Sequence, residues 1–136
     1  MATDVSLPTS ERKTNAALPA LVAVAAWAIP GLGHLLLGRW VRAIGFLVAT
    51  AGLALTGYAL RGVVFSMHSS DPFGALGFIA DVGSGVFYFF AHFFESAGAD
   101  ISRASGDNGT RFIAAAGIVN FLGVIDAFGI ARGRRG

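Results

Sequence analysis

Asp81, Gly85, Tyr88, His92 and Glu95 recur at spacings of four, three, four and three, which places them along one face of a helix. Carboxylate, phenol and imidazole on one face are groups that relay protons or ligate metals, and here they lie in or beside an apolar run, 73–94, whose single charge is Asp81. His34 follows the interruption Pro30-Gly31-Leu32-Gly33, and Asn120 and Asp126 lie inside the last apolar segment. A carboxylate at the centre of a membrane helix costs about 2.5–3.5 kcal/mol, so both aspartates require partners. Arg39 and Arg42 are the nearest arginines to the interruption, and Asp126 is expected to pair with Arg39 or His34.

The sharper chemistries fail on spacing. His92 and Glu95 with Tyr88 one turn earlier, and His34 from elsewhere, make an incomplete ligand set, and no His-Glu-x-x-His pair exists. Ser84 sits in Gly83-Ser84-Gly85, whereas a nucleophile elbow needs glycine two positions away on each side, where Val82 and Val86 stand. With no cysteine there is no thiolate, cysteine metal site or disulfide. The expectation is a non-enzymatic protein with no catalytic residue, metal or cofactor.

Composition points to lipid. The chain of 136 residues is 54% hydrophobic and 13% charged, with a mean hydropathy of +0.66. A soluble domain of this size needs more charge to cover its surface, so much of its exterior faces something apolar. The pI of about 9.7 reflects a net charge of only +2, and nine of the ten basic residues are arginines scattered along the chain. That distribution excludes a nucleic-acid partner.

Residues 1–15 are polar and aperiodic and are expected to form a disordered tail. Residues 16–131 are expected to form one membrane domain and 132–136 a basic tail that attracts anionic lipid. Residues 16–37 run without a formal charge for 22 positions, enough to cross a hydrocarbon core of about 30 Å. A cleaved signal peptide competes for this stretch, with Arg12 and Lys13 before small residues at Ala23, Ala25, Ala26 and Ala28, but the apolar run continues past them. Pro30 lacks a donor for the carbonyl of Ala26, and Gly31 and Gly33 add freedom, so the first helix should kink or break between Ile29 and Gly33.

Gly38 and Arg39 turn the chain into a second span, about 41–60, with Trp40 and Arg42 at the interface. Gly45, Ala49, Gly52, Thr56 and Ala59 share one side of it as a seam of small residues that lets helices approach closely. Segment 73–94 is either a third span with its polar face turned inward or a helix lying in the interface, and 95–110 reads as a solvent-exposed loop. A fourth span covers about 111–131, where Asn120 shares a face with Ala116, Gly123 and Ala127 and should bond another helix. In a four-span topology the side holding both termini carries six basic residues against four, which makes it cytoplasmic.

Pro30-Gly31-Leu32-Gly33-His34, Leu37-Gly38-Arg39 and Asn120…Ile125-Asp126-Ala127 together resemble an uncharacterised bacterial family of small multi-spanning membrane proteins. That family is itself similar to the two-transmembrane domain family, with Gly33, His34, Gly38, Arg39 and Asp126 as the matching positions. In the two-transmembrane domain the aspartate closes the helix directly after the turn, whereas here it comes two segments later. The resemblance implies a membrane-embedded fold and nothing catalytic.

The sequence therefore predicts an all-α integral membrane protein, a bundle of four transmembrane helices with the first kinked at Pro30–Gly33. The expected role is that of a scaffold or interaction subunit in a bacterial inner membrane, both termini cytoplasmic, with lipid and a second copy or another membrane protein as partners. A proton or small-solute pathway lined by Asp81, Tyr88, His92, Asn120 and Asp126, built in an oligomer, is the alternative. An intramembrane enzyme ranks third.

Overall fold

The computed structural model describes residues 17–65, 72–95 and 104–134. The expected tail at 1–15 lies outside these residues. Among the described residues the chain is all-helical: α1 (Ala17–Ala28), α2 (Leu32–Leu36), α3 (Trp40–Ala59), α4 (Pro72–Gly83), α5 (Val86–Glu95) and α6 (Ala104–Ala131). Two of these helices, Trp40–Ala59 and Asn108–Ala131, are long and apolar enough to cross a membrane, and a third crossing exists only if the bent pair α4 and α5 counts as one. Among the described residues the four expected segments thus take the form of two long helices and two broken ones.

The long helices are antiparallel. Arg42, near the start of α3, meets Asp126, near the end of α6. At the opposite end Gly57 packs on Ile113 and Gly109, and a Cβ on Gly62 would lie 2.3 Å from the Gly109 carbonyl carbon. This close approach explains why α6 starts earlier than expected. Gly109 and Thr110 read as loop residues, yet Gly109 fits against the backbone of Gly57 and Gly62, and the Val63 N–H donates to Thr110 Oγ1 at 3.0 Å. Tertiary packing overrides the local glycine and polar composition.

The first apolar segment breaks at the expected place. The α1 helix ends at Ala28, Gly31 takes φ +85°, and α2 starts at Leu32. At 12 residues α1 rises only about 18 Å, too short to cross. Val22 and Ala26 of α1 pack on Ala127 of α6, while the carbonyl of Trp27 reaches Asn120 further along that helix. Gly33 of α2 then returns against Ala26 and Ala127. The first segment thus enters beside the end of α6, turns at the level of Asn120, and comes back to the same end.

Segment 73–94 is corrected in the same sense. It is neither a straight span nor a straight interfacial helix, because Gly85 at φ +63° breaks it and α5 leaves at 114° to α4. Gly85 is forced by close approach: a Cβ there would lie 2.0 Å from the Trp27 carbonyl oxygen. Phe65, after the end of α3, covers Gly77 of α4, and Gly83 at the other end of α4 reaches Phe121 and Asn120. The Tyr58 hydroxyl, one residue from the end of α3, donates to the Phe87 carbonyl at the start of α5.

The chain therefore runs through the same sequence of parts twice: a short helix, a left-handed glycine, a second short helix, then a long one. The two long helices point in opposite directions, and the two breaks meet at mid-length of α6. Arg39 and Arg42 lie at the same end of the bundle as Arg132 and Arg134, not at the opposite end as expected, because the first segment doubles back beside α6.

The seam of small residues on α3 lies on its outer face. Gly45, Ala49, Gly52, Thr56 and Ala59 are all exposed, and α3 turns Ala43, Thr50, Ala54 and Gly57 inward instead. Close packing uses a different row of small residues, displaced around the helix.

Candidate functional site

Two polar clusters occupy the bundle. The first is built on Asn120, fully buried on α6. Its Nδ2 donates to the Gly83 carbonyl at 2.8 Å and to the Trp27 carbonyl at 3.0 Å. These carbonyls close α4 and α1, where no following turn exists to satisfy them. Two further carbonyls at the α4 break are also met: Trp27 Nε1 donates to Val82 at 3.0 Å, and Ser84 Oγ donates to Asp81 at 2.6 Å. An irregular backbone inside an apolar medium is tolerated only with such internal partners. Asn120 was expected to bond another helix, and it bonds two.

The second cluster lies one and a half turns further along α6. His34 Nε2 donates to Asp126 Oδ2 at 3.0 Å, and Arg42 Nη1 donates to the same oxygen at 2.8 Å. His34 is fully buried and stacks on Phe46 with ring centroids 4.9 Å apart. Phe46 in turn covers Gly123. The expected histidine partner of Asp126 is present, and Arg42 rather than Arg39 supplies the guanidinium. Arg39 instead lines an open groove of about 360 Å³ with Gly38, Trp40, Val41 and Arg42.

Asp81, Gly85, Tyr88, His92 and Glu95 do not form one face, because the helix they were assigned to breaks at Gly85. Asp81 is buried on α4 and accepts the Phe65 N–H at 2.6 Å. Tyr88 and His92 stack on each other on α5, with centroids 6.3 Å apart and His92 exposed. The Glu95 side chain lies outside the described residues. His34 and His92 belong to different clusters, and among the described residues no three histidine, aspartate or glutamate side chains group as metal ligands.

Thr50, Trp27 and Ser84 escaped the sequence reading as parts of the interior. Thr50 is fully buried midway along α3, as Asn120 is on α6. His34 Nδ1, Thr50 Oγ1 and Asn120 Oδ1 have no hydrogen-bond partner among the described residues. Gly83-Ser84-Gly85 carried the available signal, two glycines around a small hydroxyl residue inside an apolar run, which marks a helix break better than a catalytic elbow.

Both clusters, and every break that shapes them, fall within residues 21–136, which match the sequence pattern of a family of unknown function, DUF6677. The chain belongs to that family. Comparison with curated proteins and with solved structures gives no match. In this DUF6677 chain the match takes in the Pro30–Arg39 turn, the Asn120 junction and Asp126 together.

Proposed function

We propose that this DUF6677 protein is a non-enzymatic integral membrane protein, a scaffold or interaction subunit that associates with a second copy of itself through the outer face of α3. The observation that carries this reading is the row Gly45, Ala49, Gly52, Thr56 and Ala59, exposed along a helix long enough to cross lipid. A Cβ added at Gly45 or Gly52 would meet nothing of this chain within 4 Å. Such a face lets a second helix approach closely in lipid, where packing and not the hydrophobic effect drives association. In this reading α3 and α6 cross a bacterial inner membrane, and the two broken segments enter from opposite sides as re-entrant hairpins. Arg39, Arg42, Arg132 and Arg134 at one end of the bundle, against Arg61 and Arg111 at the other, support a cytoplasmic location for both termini.

Single cysteines at Ala49 and Gly52 of this cysteine-free chain, oxidised in native membranes, test the association. Disulfide-linked dimers at both positions, and none from Leu47→Cys on a different flank of the helix, are expected. A chain that stays monomeric at both positions contradicts self-association.

A second reading, passage of protons or small solutes, is favoured by the meeting of two helix breaks at mid-bundle, the position where transporters with inverted repeats place their sites. Asp126, Asn120 and Asp81 follow one another through the interior in this reading. Proton flux in proteoliposomes above empty vesicles, reduced in Asn120→Leu, supports it, and flux equal to empty vesicles removes it.

A further inference from the structure

We propose that the groove at the start of α3 binds the phosphate of an anionic phospholipid headgroup. The groove, about 360 Å³, is lined by Gly38, Arg39, Trp40, Val41 and Arg42. Arg39 stands at the N-cap of α3 and Arg42 in its first turn, and both line the groove. Arg42 is held by Asp126. Arg39 forms no ion pair with another described residue, which leaves one guanidinium for an incoming anion. The α3 helix starts beside the groove without a side-chain cap.

The setting selects a lipid. Trp40 and Val41 are 66% and 86% exposed beside the arginines, an indole and an apolar side chain at the level where a headgroup meets its acyl chains. Guanidinium groups bind phosphate through paired N–H donors. A neutral headgroup such as phosphatidylcholine brings its own ammonium to the site, whereas phosphatidylglycerol presents a net negative charge. Arg132 and Arg134 stand at the same end of the bundle and enrich anionic lipid there without forming the groove.

The proposal requires only that α3 and α6 cross lipid. Release of the protein from membranes by alkaline carbonate would remove that premise, whereas the following measurement addresses the groove alone. The full chain, purified in detergent, is titrated with phosphatidylglycerol or phosphatidylcholine, and bound lipid is counted by native mass spectrometry. Phosphatidylglycerol should be retained preferentially, Arg39→Gln should lower that retention about tenfold, the loss of one charge-assisted contact, and Arg134→Gln should leave it within about twofold. Glycerol 1-phosphate should not displace the lipid at equal concentration, because it lacks the chains that lie along Trp40 and Val41. Equal retention of the two lipids, equal losses in Arg39→Gln and Arg134→Gln, or displacement by glycerol 1-phosphate would each overturn the assignment.

Discussion

Asn120 and Trp27, 93 positions apart, are joined by a hydrogen bond of 3.0 Å from the Asn120 amide to the Trp27 carbonyl. The same amide nitrogen holds Gly83 at 2.8 Å, so one side chain closes two helices that stop in mid-bundle. Its amide supplies the donors that these two interior helix ends lack.

Asn120→Leu removes both donors and leaves two buried carbonyls without them. Each such loss costs about 1–3 kcal/mol, and no water enters an apolar interior to replace it. Thermal unfolding in detergent, followed by circular dichroism, should show the variant melting well below the parent. A variant that melts with the parent would mean that the breaks are held by packing alone.

Gly85→Ala and Gly38→Ala separate conformational strain from close approach. Both glycines have positive φ, +63° and +71°, a conformation that costs an alanine about 1–2 kcal/mol. At Gly38 a Cβ meets nothing within 4 Å, whereas at Gly85 it strikes the Trp27 carbonyl. Gly38→Ala should fold with a small loss of stability, and Gly85→Ala should fail to accumulate as a folded protein. Equal yields and equal melting temperatures would contradict the contact between the two breaks.

Asp126→Asn should destabilise the protein more than Arg42→Gln. The Arg42 side chain is 44% exposed, and an exposed ion pair contributes about 0–1 kcal/mol. The Asp126 carboxylate also accepts from buried His34, so its loss weakens a contact that water cannot replace. Melting temperatures of the two single variants and the double variant give the order directly, and a larger loss for Arg42→Gln would reverse the assignment.

The long helices were legible because hydropathy and length act along the chain: α3 starts one residue from its expected boundary and α6 ends where expected. Pro30 and Gly31 announced the first break by their own chemistry. What the sequence hid was direction. A broken apolar segment of 22 residues has the length to cross, and only the return of Gly33 against Ala26 shows that it doubles back. The break at Gly85 was hidden in a different way, since its cause is the distant Trp27 carbonyl and not a local signal. The pairing of Asp126 with His34 could be read because a buried acid and a buried histidine each need a partner. Arg42, inside the first turn of α3, reaches Asp126, whereas Arg39 stands outside the helix at its N-cap. On α3 the sequence reading named one row of small residues, and the row that meets α6, Ala43, Thr50, Ala54 and Gly57, became visible only from packing.

The most direct test of the account is the side of the membrane on which the first turn lies. Single cysteines at Val41, Arg61 and Arg134 of this cysteine-free chain, labelled in sealed vesicles of known orientation, report it without altering the interior. Two crossing helices with hairpins that return to their own side predict that Val41 and Arg134 label together from the cytoplasmic face and Arg61 from the other. Val41 labelling with Arg61, opposite Arg134, would mean that α1 and α2 cross, and the paired-hairpin architecture would be wrong.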